Sequence, residues 1–584
     1  MGSAAVFSAT ETEKVYAVPD DVPCPTNSTM FQGFEWYIPA DHQHWVRLAS
    51  VIPHLSALGV TRIWIPPATK GMWFKSNGYD VYDLYDLGEF PQKGARETKY
   101  GTKDELVRLV NTANSHGVDI LFDAILNHRT GADQTETIEA VEVDPKGSAP
   151  PRWDRWKNIG ESQNIEAWTR FDFPGRGNTY SSLNWTKEHF NGVDYNHTSK
   201  TQGIWRFQGK KWARDVDEEL GNYDFLHPAV RRDLFRWATW LGSQLKLGGL
   251  RLDAVRHYSA SFLRDFIRHI DETMGGDWFI VGEYWRADAG VLSGYIEYMN
   301  NRLSLFDVPL VESFSKISRG IEPDMRKIFD GSLVTIKSAN TVTLVTNHDT
   351  QTGQTLDTPV KPYFVPIAYA IILLRANFGL PCVFWADLYG TLAPPHPQPP
   401  PHGGLLVPRL MLARKLWAYG TEVSYFSDSA TCVGFTRFGH PSHSGGAGLA
   451  VVANTAWRCD RKRMCVGRRH AGERWADVLG QAWGEVLVDE AGYGIFPVRP
   501  RGVSVWANKD AQGWNVVESF VFCTQPKYVP PALLIRSVSF SDHKNYSVLD
   551  GTADDGLPKP PKSFPAWLQS ALQTKGYDHR GDID

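Results

Sequence analysis

Four short segments of this chain combine carboxylates with histidine, arginine or amide side chains at spacings that can do chemistry. They are Asp123-Ala124-Ile125-Leu126-Asn127-His128, Arg251-Leu252-Asp253-Ala254-Val255-Arg256-His257, Gly282-Glu283-Tyr284-Trp285 and Thr346-Asn347-His348-Asp349. Arg251 and Asp253 are two apart, so on a strand both side chains share one face, where the guanidinium would hold the carboxylate ionised. Glu283 lies 283 − 253 = 30 residues further on, about one helix and one strand away, which puts it on the neighbouring strand. A carboxyl beside an anionic neighbour and flanked by Tyr284 and Trp285 should have its pKa raised, as a general acid working near neutral pH requires. Two carboxyls roughly 5–5.5 Å apart would give the geometry of retaining glycoside hydrolysis, one acting as nucleophile and the other as acid/base. Asp349 supplies a third carboxylate.

Any one such aspartate is more often a solvated acid at a strand end. The elements around them change that balance. Eight apolar, β-rich runs recur: Met30–Tyr37, Thr61–Pro66, Val118–Leu126, Gly249–Val255, Trp278–Tyr284, Leu303–Val308, Val342–Thr346 and Pro381–Trp385. Helical patterns such as Leu48–Leu58, Lys103–His116, Pro228–Leu247 and Ser259–Thr273 separate several of them. This alternation predicts parallel strands with helical crossovers, and eight of them predict a (β/α)8 TIM barrel, whose active sites lie at the C-terminal ends of the strands. The four segments all fall there.

The fold class expected is therefore α/β: a barrel on residues 30–128 and 224–419, with an inserted subdomain on 129–223 after the third strand. Periodicity does not resolve the insert, but an excursion that long is usually a subdomain. From 420 to 507 short runs such as Cys432–Arg437, Gly448–Ala453, Glu485–Val488 and Val503–Trp506 predict an antiparallel β-sandwich. Residues 1–29 read as an N-terminal extension and 508–584 as a tail without a recognisable fold, containing a stiff linker at Lys559–Pro565.

Composition narrows the function. With 61 Lys+Arg against 65 Asp+Glu among 584 residues, the net charge of −4 gives no cationic field for a nucleic-acid partner. No stretch approaches the roughly 20 apolar residues that cross a bilayer, so no membrane partner is expected. The first twenty residues lack a basic n-region and a long apolar core, which predicts a cytoplasmic protein. Six cysteines, at 24, 382, 432, 459, 465 and 523, are too sparse for a disulfide scaffold. Aromatic residues reach 12%, mostly core filling, though flat rings also stack on sugars.

The four segments resemble the conserved regions of the α-amylase family of glycoside hydrolases. Their flanks resemble its liquefying-type branch, which has intracellular members in fungi: FQGFEWYIPADHQHW (31–45), IWIPPATKG (63–71), GYDVYDLYDLGEF (78–90), TKYGTKDEL (98–106), FPGRGNTYS (173–181), FDVPL (306–310), NHDTQ (347–351) and ARKLWAYG (413–420). The resemblance runs from Met30 to Ala507. It implies retaining endo-hydrolysis of α-1,4-glucosidic bonds in starch-, glycogen- or maltodextrin-type glucans by a monomer. By position, Asp253 resembles the nucleophile, Glu283 the acid/base and Asp349 the third carboxylate. Arg251, His128 and His348 resemble residues around the subsite of the distorted ring, Tyr79 its stacking platform, and Arg256 with His257 the leaving-group side.

The resemblance also implies one structural calcium ion, held through Asn127, Asp224 and the His257 carbonyl, all oxygen donors. Two departures weaken this. The segment Gly221–Pro228 is shorter than the family's acidic loop, and Ala213 stands where an acid of a secondary metal cluster is expected, so that cluster is not predicted. A further departure is 391–404, with six prolines in fourteen residues after the eighth strand. Two other functions stay open on sequence alone. A 4-α-glucanotransferase would share the same motifs, because a sugar hydroxyl can replace water in the second step. A non-catalytic glucan-binding protein could use the same barrel, though all three carboxylates are present.

Overall fold

The structure is a computed structural model that describes residues 8–9, 13–145, 156–210, 222–257, 259–393 and 397–522. Eight parallel strands close into a barrel: β1 (Met30–Gln32), β2 (Arg62–Trp64), β3 (Asp119–Ala124), β4 (Gly249–Leu252), β5 (Phe279–Gly282), β6 (Ser304–Phe306), β7 (Thr341–Leu344) and β8 (Leu380–Phe384). The ring runs in sequence order and closes where β8 pairs with β1, Cys382 opposite Met30. The first six strands lie within their predicted runs and are shorter than them, while β7 and β8 each begin one residue earlier than predicted, at Thr341 and Leu380. The run beginning at Gly249 leaves the ladder after Leu252, so Asp253 is the first residue beyond the strand. Gly249 has no substitute at the start of β4, because a Cβ there would lie 1.8 Å from the Phe279 carbonyl oxygen.

The crossover helices begin where local chemistry tells them to. Thr102 and Glu105 form a reciprocal capping box on Lys103–Ser115, and Ser259 caps Ala260–Met274. Asp307 caps Val308–Arg319, which stops at Gly320 with a left-handed φ of 76°. The first helix, His44–Ala57, starts earlier than its apolar periodicity predicts. His44, Trp45 and Arg47 are buried against the barrel, and that tertiary burial extends the helix past the periodic segment.

Between β3 and β4 the chain leaves the barrel to form an antiparallel sheet. Its long strand Gln134–Pro145 pairs with Gln163–Arg170 on one side and Thr201–Phe207 on the other. Phe190–Asn196 adds to Thr201–Phe207 and then to Asn222–Tyr223, which returns the chain to the barrel. There the Tyr223 amide donates to the Asn127 carbonyl, 3.0 Å away.

The C-terminal region is an eight-stranded antiparallel sheet with a separate two-stranded ribbon, Asp460–Cys465 paired with Tyr493–Val498, laid over it. Strand alternation divides its side chains between two cores. Val433, Phe435, Leu449 and Val451 join the barrel core, while Ala450, Val452 and Trp506 pack with Met464 and Phe496 of the ribbon. Glu13–Tyr16 pairs with Glu422–Tyr425, so a strand from the predicted N-terminal extension completes this sheet.

Arg375 ties barrel to sheet. Its guanidinium donates to Glu422 Oε1 at 2.9 Å and to Ser424 Oγ at 3.0 Å, among Phe329, Phe378 and Phe426. The Glu422 side chain is 3% exposed, so its removal would leave a largely buried cation unpaired. Glu422→Ala is expected to lower unfolding stability by about 3–5 kcal/mol. Chemical denaturation followed by tryptophan fluorescence checks this, and a loss within experimental error of zero would contradict it.

Candidate active site

The predicted chemical segments converge at the C-terminal mouth of the barrel around one guanidinium. Arg251, on β4, is fully buried, and its Nη1 donates to Asp123 Oδ1 and to Asp253 Oδ1, both at 2.7 Å. Its Nη2 donates to Glu283 Oε2 at 2.5 Å. Spacing alone paired Arg251 with Asp253. The structure adds Glu283 from the end of β5 and Asp123 from β3, which is in register with Arg251 across the strand pair. Burial works against the charge of Arg251, but Asp123, Glu283 and Asp253 together raise its pKa well above the ordinary value. It is a permanent cation.

Asp123 is the site residue that sequence reasoning passed over, although it heads one of the four segments. Its Oδ2 accepts from Trp64 Nε1 and from the Tyr79 hydroxyl, each at 2.9 Å. Burial pushes its carboxyl above the usual range, while Arg251 and these two donors pull it back. The signal that would have found it is the β3–β4 register, which local spacing does not contain.

Tyr79 is fixed by its hydroxyl on Asp123 and by its carbonyl, which lies 2.8 Å from His128 Nε2. Its ring lies near-parallel to Trp36 at 6.0 Å and to His348 at 5.1 Å between centroids, and those two are 6.1 Å from each other, so the three rings form a triangle. Trp36, from the loop after β1, was likewise not singled out from the sequence. His348 is buried, with Nδ1 3.1 Å from Gln32 Nε2 and Nε2 3.2 Å from Asp349 Oδ2. Asp349 sits in a turn built by Asn347, whose Oδ1 accepts from the amides of Asp349 and Thr350. Asp253 and Asp349 keep 12% and 25% of their side-chain surface open, against none for Asp123, so the first two face the cleft.

The turn after Asp253 is tight: Ala254 has a positive φ of 47°, an unusual conformation for a residue with a Cβ. Val255 N donates to the Glu283 carbonyl and Glu283 N to the Leu252 carbonyl, locking the ends of β4 and β5 together. Arg256 and His257 lie in that same turn and are half-buried.

Glu35 was not predicted to have a role either. It is buried and accepts four hydrogen bonds, from Tyr37 N, Gln351 Nε2, Thr391 Oγ1 and Leu392 N. One carboxylate thus fastens the loops after β1, β7 and β8, including the root of the proline-rich segment.

The oxygen cage expected for calcium does not fit a divalent ion among the described residues. Asp224 Oδ2 is taken by the Lys210 ammonium at 3.1 Å, and its Oδ1 accepts the Leu226 amide at 3.0 Å. Asn127 turns its amide nitrogen to Asn222 Oδ1 at 3.2 Å. Among the described residues no group of three or more His, Cys, Asp or Glu side chains is arranged to hold a metal. Ala213 lies outside the described residues.

Burial, and secondarily Arg251, pushes the His348 imidazole well below its ordinary value of 6.5. The depressed value means that the neutral form is favoured by the fold. This stabilisation is present above about pH 6.5 and is lost as the unfolded chain takes up protons below it. NMR of histidine-labelled protein should show His348 still neutral at pH 6.5, where an ordinary imidazole is half protonated. A titration midpoint near the ordinary value would contradict the placement.

Comparisons with known proteins identify the family. The family model "Alpha amylase, catalytic domain" matches residues 44–391 and "Alpha-amylase C-terminal" matches 449–507. The α-amylase of Bacillus licheniformis is 43% identical over 492 residues, covering 83% of this chain and 94% of the relative. The cytoplasmic α-amylase of Escherichia coli (strain K12) is 36% identical over 504 residues, covering 82% and 98%. The crystal structure of a Geobacillus thermoleovorans α-amylase complexed with acarbose superposes with a TM-score of 0.52 at 15% identity, covering 82% of this chain and 98% of that one. The chain belongs to the α-amylase family of glycoside hydrolases, in both its catalytic barrel and its C-terminal sheet.

Proposed function

We propose that the protein is an α-amylase: a retaining endo-hydrolase of α-1,4-glucosidic bonds in starch-, glycogen- or maltodextrin-type glucans. The observation that carries this reading is the single guanidinium whose two nitrogens hold Asp253 and Glu283 side by side at neighbouring strand ends. Asp253 attacks the anomeric carbon while Glu283 gives its proton to the departing glycosidic oxygen, leaving a β-glycosyl ester on Asp253. Glu283, now a carboxylate, takes a proton from water as the water attacks the same carbon, and the ester bond breaks with net retention. Asp349 grips sugar hydroxyls in the form that favours the oxocarbenium-like transition state. Tyr79 offers a ring face for stacking, His128 and the neutral His348 line the same subsite, and Arg256 with His257 face the leaving group.

The domain boundaries read from the sequence belong to the same proposal: a barrel on 30–128 and 224–419, an insert on 129–223 and a C-terminal unit on 420–507. A cytoplasmic location is supported by the similarity to a relative named a cytoplasmic α-amylase. No helix among the described residues is long and apolar enough to cross a membrane. Placement in the fungal intracellular branch, and a monomeric state, rest on the motif flanks.

Product analysis on soluble starch and maltopentaose tests the reading. Short oligosaccharides released in the α-configuration, with little elongation, are expected. Chains longer than the substrate as main products would move the function to glucan transfer, and no turnover by folded protein would leave a binding protein. Asp253→Asn should lower kcat by about 1000-fold or more while leaving the thermal transition in place. Activity near wild type in that variant would remove Asp253 as nucleophile.

A further inference from the structure

The junction where the insert rejoins the barrel contains a cation supplied by the chain itself. Lys210 Nζ donates to the Glu188 carbonyl at 2.7 Å and to Asp224 Oδ2 at 3.1 Å, and stands 4.0 Å from the Glu188 carboxylate. These oxygens come from two separate elements. Glu188 belongs to the short turn Lys187–His189 that precedes the insert strand Phe190–Asn196. Asp224 follows the return strand Asn222–Tyr223 and lies just ahead of the helix Pro228–Gln244, which leads directly into β4. The Asp224 amide also donates to the His189 carbonyl, so the two elements are joined by backbone as well as by charge.

A carbonyl and two carboxylate oxygens around a point charge form the kind of donor set that a hard cation takes. Here an ammonium occupies it; Lys210 and Asp224 have side-chain exposures of 22% and 10%, while the Glu188 carboxylate on the outer side is 64% exposed. A divalent ion entering the same cluster would sit within a few ångströms of that ammonium with little solvent to screen the repulsion. Both Asp224 oxygens are already engaged, since the Leu226 amide donates to the other one. We infer that Lys210 replaces a structural metal at this junction, so that the fold is held between insert and barrel without bound calcium.

The inference concerns stability, and its test does not depend on the hydrolytic reading. The full-length protein is stripped with excess EDTA and divided between EDTA and millimolar calcium chloride. Thermal unfolding is followed by calorimetry, and calcium binding by equilibrium dialysis with radiolabelled ion. The wild type is expected to unfold within about 1 °C of the same temperature in both buffers and to bind no stoichiometric calcium. Lys210→Ala is expected to lower Tm by about 2 °C or more in EDTA, while Lys210→Arg keeps the charge and stays near wild type. Calcium that raises the wild-type Tm by several degrees, or binds tightly at one ion per chain, would overturn the proposal. A Lys210→Ala variant as stable as wild type in EDTA would overturn it too. If Lys210→Ala does not fold, the wild-type calcium titration still decides.

Discussion

A guanidinium taken fully out of water persists only where anionic oxygens replace its hydration, and Arg251 meets that demand with three carboxylates. A buried ion cluster of this kind adds little stability over a well-packed apolar core. What it supplies is position. Asp123 balances the cation from below, where no solvent reaches, and leaves Asp253 and Glu283 turned toward the cleft. The same Asp123 holds Trp64 and Tyr79, and Tyr79 in turn packs against Trp36 and His348. Side chains from β2, β3, β4 and β5, and from the loops after β1, β2 and β7, are thereby placed with respect to one charge.

Farther out, the loops that form the cleft are secured by charged side chains that each hold several partners. Glu35 spends both oxygens on three loops, and Lys210 bridges the insert to the chain entering β4. Lys70 does the same beneath the loop after β2, where its buried ammonium donates to the carbonyls of Phe90, Ala95, Arg96 and Glu97. In each case a side chain of fixed charge organises backbone that has no ladder of its own. This is how long irregular connections keep their polar groups satisfied while carrying functional residues.

The barrel was legible in the sequence because its signals are local. Short apolar runs, helix caps and the spacing of Arg251 to Asp253 each depend on a few neighbouring residues. The carboxylates at strand ends were legible for the same reason. Asp123 and Glu35 were not, since their importance comes from register and from contacts more than a hundred residues away in the chain. The insert escaped periodicity because its aromatic and charged residues serve a small sheet whose partners are widely separated in sequence, such as Gln134–Pro145 with Thr201–Phe207. The calcium expectation illustrates the limit of carrying positions over from a family. Asn127 and Asp224 are present, yet Asp224 is paired with Lys210, which no motif included, and Asn127 donates to Asn222.

The strand Glu13–Tyr16 has a consequence for how the molecule can be assembled during synthesis. Val15 leaves the ribosome early, but its partner Val423 is made 423 − 15 = 408 residues later. Cys382, opposite Met30 at the barrel seam, is likewise made long after its partner. The first segments to emerge therefore present unpaired edges for most of translation, and both the barrel and the C-terminal sheet close last. The entropy of closing such loops grows only slowly with their length, so the delay costs the finished protein little. It does cost time, and for that interval the nascent chain exposes strand edges and apolar faces that chaperones, or other nascent chains, can reach.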